Sequence, residues 1–219
     1  PIQLNTQRLK KKYYENREDF ARVFDESINI ITQEVEGMKD LLNEFLSFSR
    51  MPTPDPKPTS LHKIIDDILI SYSEHDKKIQ IKKNLDPNLA QLTIDPEQIR
   101  RVLINLFENA TDAIDEGGAI QITTKILDEK KWVRIEFSDN GAGISSADRE
   151  KLFLPHFTTK KRGTGLGLAI VNRIIIDHNG IIKVQDNYPK GTTFIIELPY
   201  LKTTLKIDKN LPNSFSDIS

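Results

Sequence analysis

Residues 51–58 read Met-Pro-Thr-Pro-Asp-Pro-Lys-Pro, four prolines in seven positions. Proline lacks a backbone N–H and holds φ near −65°, so no helix runs through this stretch. The segments on its two sides are therefore separate elements, and 51–58 reads as a linker at a domain boundary.

Before the linker, residues 1–50 carry no strand signal. Phe24, Ile28, Ile31, Val35, Met38, Leu42 and Phe45 are spaced 4, 3, 4, 3, 4 and 3. That is a heptad seam with charge on the other faces of one long helix. Ile2, Leu4, Leu9 and Tyr13 predict a shorter helix before it, with a turn at Asn16–Asp19. An intrachain hairpin alone would leave the seam half covered, so the pattern favours one half of a dimeric four-helix bundle.

After the linker, helix and strand patterns alternate. Ser60 can cap a helix carrying Leu61, Ile64, Ile65, Ile68 and Leu69, and strands are predicted at 79–83 and 91–94. Asp95-Pro-Glu-Gln98 is a helix start, with Asp95 as N-cap, Pro96 in the first turn and Gln98 closing a capping box. The helix runs to about Ile114 and stops at Gly117-Gly118. Strands come next at 119–127 and 132–138, then a helix over 167–178 stopped by Gly180, then strands at 181–185 and 192–198. The expected fold is α+β: a helical hairpin over 1–50, then an α/β sandwich over 59–200 with one sheet covered on one face by helices, and a polar tail over 201–219.

Composition narrows the function classes. The 31 basic and 32 acidic residues give a net charge of −1, so no global field draws the chain to nucleic acid or an anionic membrane. No apolar run reaches the roughly 18 residues of a membrane span. Cysteine is absent, which excludes disulfide frameworks and cysteine-based zinc sites. No signal peptide is visible, and the expected location is cytoplasmic. The chain opens on Pro1, which reads as a piece of a longer protein.

Three segments offer chemistry. On the helix over 96–114, Asn105, Glu108, Asn109 and Asp112 share a face opposite the apolar stripe. Such a face is either simply solvated or a source of amide oxygens for Mg²⁺, a hard cation that takes oxygen ligands. The strand over 132–138 ends at Asp139, followed by Asn-Gly141-Ala-Gly143. This is either an ordinary turn or a carboxylate placed to accept from an exocyclic amine, with glycines letting a flat ring approach. Gly163-Thr-Gly165-Leu-Gly167-Leu168 leads into a helix, so its N–H groups and the helix dipole form an anion site or a plain helix cap. It follows neither the dinucleotide nor the P-loop pattern. Lys160, Lys161 and Arg162 put three cations just before it. Thr192, after Gly191, can share a water with Asp139.

Taken in order, these motifs resemble those of the ATP-binding domain of sensor histidine kinases, within the gyrase–Hsp90–MutL type of ATPase fold. Asn105–Ala113 is similar to the N box, with Asn109 at the metal-ligand position. Asp139–Ile144 is similar to the G1 box, with Asp139 facing adenine. Phe153-Leu-Pro-His-Phe157-Thr-Thr159-Lys160 is similar to the F box, Gly163–Leu168 to the G2 box, and Gly191–Phe194 to the closing glycine motif. The end of the first domain, Phe45-Leu-Ser-Phe-Ser-Arg50, is similar to the dimerisation domain of nitrogen-regulation type sensor kinases.

The resemblance implies ATP and Mg²⁺ as cofactors. It implies nucleotide contacts from Asn105, Asn109, Asp112, Asp139, Gly141, Gly143, Ile144, Phe157, Thr159, Lys160, Arg162, Gly163–Leu168 (Gly163, Thr164, Gly165, Leu166, Gly167, Leu168) and Thr192. The γ-phosphate is expected to pass to a histidine on the helical bundle and then to an aspartate of a response regulator. Expected partners are a second copy through the N-terminal helices and a receiver domain, with no nucleic acid and no membrane contact by this chain. The parent of such a domain is often anchored in the inner membrane.

One departure stands out. The histidines are His62, His75, His156 and His178, and none lies in residues 1–50. All four read as structural or surface residues, so the chain is expected to bind ATP without phosphorylating itself. An ATPase of the same fold would place a water-activating glutamate four residues before Asn109, where this chain has Asn105, and Glu108 is expected to point elsewhere. A binding module that uses ATP only for assembly is the third reading.

Overall fold

The computed structural model describes residues 1–15, 19–49, 51–72, 79–114, 117–127, 131–160 and 163–200. The predicted turn residues 16–18, His75, Lys161, Arg162 and the 201–219 tail lie outside the described residues. Two helices, α1 (Ile2–Glu15) and α2 (Phe20–Ser49), pack on each other as a hairpin. Val23 and Ser27 of α2 are buried. The heptad seam is not: Phe24, Ile28, Val35, Met38, Leu42 and Phe45 all remain exposed within one chain. The lengths explain much of this, because 14 residues span about 21 Å and 30 residues about 45 Å, so α1 cannot cover the far half of α2.

The prolines end α2, but the linker is not wholly irregular. Its last residues open β1 (Lys57–Thr59), which pairs antiparallel with β3 (Leu92–Ile94), Pro58 facing Thr93. Pro58 is tolerated because a two-stranded ribbon gives each strand one unpaired side. Ser60 then caps α3 (Leu61–Tyr72) through its Oγ, which accepts from the Lys63 amide at 3.3 Å.

A five-stranded sheet, β2 (Gln80–Asn84), β4 (Ala119–Leu127), β5 (Trp132–Asp139), β7 (Thr192–Pro199) and β6 (Ile181–Asp186), runs in the order β2-β4-β5-β7-β6. Among these described strands only β2 and β4 are parallel, and the chain crosses between them through α4 (Pro96–Ala113). Side chains alternate along the strands. Ile120, Ile122, Val133, Ile135, Phe137, Phe194, Ile196 and Leu198 face the core, and polar residues such as Gln121, Arg134 and Glu197 face away. α3, α4 and α6 (Gly167–Asp177) supply the matching layer, with Leu61, Ile65, Leu103, Leu106, Phe107, Ile170 and Ile174 buried in one cluster. Phe107 of α4 meets Phe137 of β5 edge to face, with ring centroids 4.8 Å apart. One short helix, α5 (Ser146–Arg149), has no signal in the apolar periodicity.

Two expected caps differ in detail. Asp95 caps α4 as predicted, its Oδ1 accepting from the Glu97 and Gln98 amides. Gln98 does not close a capping box. Its Nε2 donates to the Pro52 carbonyl at 3.0 Å, and the Asp95 amide donates to His178 Nε2 at 3.0 Å. The linker and α6 compete successfully for groups that an isolated helix would pair with itself. At the end of α6 the left-handed residue is Asn179, at φ 56°, rather than Gly180. Gly180 is needed for space, since a Cβ there would lie 2.7 Å from the Glu197 carbonyl oxygen.

The packing predicts that Phe107→Ala lowers unfolding free energy by about 3–5 kcal/mol in urea denaturation. A loss below about 1 kcal/mol would show that the α4–β5 contact is not central to the core.

Candidate functional site

α4 buries Val102, Leu103, Leu106, Phe107 and Ala110 against the sheet. At 100° per residue this turns Asn105, Glu108, Asn109 and Asp112 to the other side, where all four line a cavity of about 670 Å³. Glu108 therefore borders the cavity, contrary to expectation, because neighbours on a helix can both reach the rim of a wide opening. Asn105 and Asn109 do not act as a matched pair. The Asn105 amide nitrogen donates back to the Arg101 carbonyl at 2.9 Å, whereas Asn109 Oδ1 accepts from Lys160 Nζ at 2.9 Å. Asp112 Oδ2 receives the same ammonium at 2.7 Å. A cation is thus held between one amide oxygen and one carboxylate oxygen, the hard donor set that suits Mg²⁺.

The second wall comes from the end of β5. Asp139 is only 3% exposed. Its Oδ1 accepts from the Gly141 amide at 2.9 Å and the Thr192 amide at 3.3 Å. Thr192 thus contacts Asp139 directly through its backbone. Gly143 has φ 81° and borders the cavity. Gly141 does not line it; a Cβ there would lie 2.6 Å from the Ala113 carbonyl oxygen, so this glycine lets the turn close onto α4. Gly191 plays the same part from the other side, at φ 122° with the Asp139 carbonyl 2.0 Å from a hypothetical Cβ. Ile144, Leu152, Phe157, Leu168 and Phe194 make the cavity wall beside Asp139 largely apolar.

The third wall is the segment before α6. Gly165 has φ 70° and its carbonyl accepts from the His156 amide at 2.9 Å. A Cβ on Gly165 would lie 2.5 Å from the His156 carbonyl carbon, so the two segments are pressed together. Leu166 is fully buried and anchors the loop without lining the cavity. Among the described residues no side chain caps α6, and Gly163, Thr164, Gly165, Gly167 and Leu168 line the cavity at its start. Thr159 and Lys160 line the same cavity. Arg162 lies outside the described residues.

Sequence reasoning missed Leu152 as a lining residue, and left Ala113, Thr158 and Phe194 off the site although it named them within motifs. They are apolar or small and carry no chemical signature of their own. Of the histidines, His178 is buried, with Nδ1 on the Ile174 carbonyl at 2.8 Å and Nε2 accepting from Asp95. His62 Nε2 lies 3.1 Å from Thr124 Oγ1, and burial lowers its pKa, against the raising effect of Asp66 and Asp86. His156 is exposed beside the cavity, at φ 66°.

Residues 94–202 match the family of histidine kinase-, DNA gyrase B- and HSP90-like ATPases. The chain is 34% identical to the catalytic domain of histidine kinase ThkA, at a TM-score of 0.59 over 66% of this chain and 95% of that one. The chain belongs to the sensor histidine kinases. Over 86% of its length it is 30% identical to the sensor histidine kinase ZraS of Escherichia coli strain K12, of which it spans 40%. It is 30% identical over 87% of its length to the nitrogen regulation protein NtrY of Azorhizobium caulinodans, of which it spans 25%. A structure of ThkA in complex with the response regulator protein TrrA aligns at a TM-score of 0.70, with 29% identity over 91% of this chain and 57% of that one. The chain thus covers well under half the length of these curated sensor kinases. Among the described residues no helix is long and apolar enough to cross a membrane.

The buried carboxylate of this kinase domain gives a pH prediction. Burial raises the Asp139 pKa, against the opposing hydrogen bonds from Gly141 and Thr192. The folded chain then binds this proton more tightly than the unfolded chain, so ionised Asp139 costs stability, and the cost grows as pH rises through its folded pKa. Asp139→Asn keeps an oxygen for both amides. It is expected to be at least as stable as the parent at pH 7, with the advantage shrinking as pH falls through the raised folded pKa and gone below about pH 4, where the unfolded carboxylate is also protonated. A clear loss of stability at pH 7 in thermal unfolding would count against a strained, functional carboxylate.

Proposed function

We propose that this chain is the ATP-binding catalytic core of a sensor kinase that passes the γ-phosphate of Mg·ATP to a histidine on a helical bundle, and from there to a response-regulator aspartate. One observation carries the reading. Three separate segments bring a buried carboxylate, a cation-holding oxygen pair and an uncapped helix start to a single cavity. Asp139 is suited to accept from the exocyclic amine of adenine, with its Oδ1 already fixed by two amides. The apolar wall suits a flat ring, and the α6 N–H groups suit phosphate oxygens.

The oxygens of Asn109 and Asp112 fit Mg²⁺, since they already hold an ammonium. Mg²⁺ there would neutralise phosphate charge, which is most of what phosphoryl transfer requires from a protein. Lys160 and the metal are alternative partners of these oxygens, and Lys160 on leaving them becomes a phosphate ligand together with Arg162. The domain division is 1–50 for the hairpin, 51–58 for the linker, 59–200 for the catalytic domain and 201–219 for the tail.

The exposed seam of α2 is the surface for a second copy, completing a four-helix bundle. Residues 1–50 contain no histidine, so the acceptor is supplied by another segment. The reaction takes place in the cytoplasm. Glu108 at the cavity favours one alternative, hydrolysis with Glu108 activating water.

The test tracks γ-labelled phosphate. The chain is incubated with Mg·ATP and a polypeptide that restores a histidine-bearing helix to the hairpin. Acid-labile label on that helix with little free phosphate supports the kinase. Rapid free phosphate, abolished by Glu108→Gln, would make it an ATPase. Asp139→Asn is expected to weaken adenine-nucleotide binding by about 10–100-fold, the loss of a hydrogen bond to a charged group. Asn109→Ala is expected to remove the Mg²⁺ dependence of binding, and Gly165→Val to block phosphate approach. Wild-type affinity in all three, measured by calorimetry, would place the nucleotide elsewhere.

A further inference from the structure

The hydrogen bonds at the start of α4 do more than end a helix. Asp95 uses both carboxylate oxygens: Oδ1 caps α4, and Oδ2 accepts from the Asp55 amide of the linker at 3.0 Å. One turn further on, Gln98 is buried and donates to the Pro52 carbonyl at 3.0 Å, while its Oε1 is buried without a partner among the described residues. A buried amide that leaves one atom unsatisfied costs stability, so a helix formed only for packing would favour an apolar residue here. On the third side, the Asp95 amide reaches His178 Nε2 and His178 Nδ1 reaches the Ile174 carbonyl. These partners require a neutral imidazole with its proton on Nδ1. Linker, α4 start and α6 end are therefore tied at one point.

That point lies at the far end of the two helices that form the nucleotide cavity. α4 and α6 pack on each other and run antiparallel from it. Asn109 lies about 16 Å along α4 from Gln98, and Leu168 about 15 Å along α6 from His178. We propose that Asp95, Gln98 and His178 form a docking joint that fixes the linker, and with it the hairpin, relative to the nucleotide cavity. Asp95 and Gln98 are positioning residues. They touch no nucleotide, and they act by setting where the hairpin stands when phosphate is transferred. This rests on the kinase reading for its consequence, but the docking itself does not.

Two substitutions separate the joint from ordinary helix stability. Asp95→Ser keeps an N-cap oxygen of equal quality but removes the second oxygen that holds Asp55. Gln98→Leu removes the Pro52 bond together with the unpartnered Oε1. Both are expected to leave the fold and the KM for ATP unchanged. Hydrogen exchange at the Asp55 amide should quicken about ten-fold in Asp95→Ser, the effect of one lost hydrogen bond. ¹⁵N relaxation should show new motion at the Met51, Thr53 and Asp55 amides in both variants. The kcat for transfer to the restored histidine-bearing helix should fall several-fold. Unchanged exchange and relaxation would overturn the joint, as would a rise in KM with kcat preserved. If the parent chain transfers no phosphate at all, the kinase reading falls, and exchange with relaxation still decides the docking.

Discussion

The burial of one stripe of α4 is the constraint on which the rest depends. Leu103, Leu106 and Phe107 must leave water, and the apolar surface that receives them is the inner face of the five-stranded sheet. Once that stripe is seated, helical geometry leaves no choice about the opposite one. Asn105, Glu108, Asn109 and Asp112 become the wall of a cavity, and the start of the helix is left near the linker. Packing and chemistry are set by the same rotation of one helix about its axis.

The glycines around the cavity then decide how closely other segments approach that helix. Gly141 lets the turn after β5 rest on the Ala113 carbonyl, and Gly191 lets β7 begin against Asp139. Together they bury the Asp139 carboxylate while two backbone amides keep it oriented. Its desolvation is a cost that stability alone does not explain. On the other wall, Gly165 lets the start of α6 press against the segment at His156, and Lys160 lines the same cavity.

Much of this was legible from residue order. The element boundaries of α4, β4, β5 and β7 come directly from apolar periodicity and glycine stops. Gly143, Lys160 and Gly165 announce themselves because their residue types are costly or reactive. The features that were not legible depended on distance through space. Gln98 reads locally as half of a capping box, and only the folded linker offers Pro52 as a better acceptor. Asn105 and Asn109 look equivalent one turn apart, yet Lys160, 51 residues on from Asn109, engages the latter. Leu152 and Phe194 are ordinary core residues until the sheet and the α5 region close around the cavity.

By itself the sequence determined the proline boundary, the heptad seam, the alternation of helix and strand, and the order of the three chemical segments. These are properties of local periodicity and backbone stereochemistry, which the chain carries wherever it is placed. The tertiary structure alone decided the strand order β2-β4-β5-β7-β6, the carboxylate burial of Asp139, the sharing of one ammonium by Asn109 and Asp112, and the tie between linker, α4 and α6. Each of these joins groups far apart in the chain, and a hydrogen bond or a buried charge has no energy until the packing of the core sets its distance.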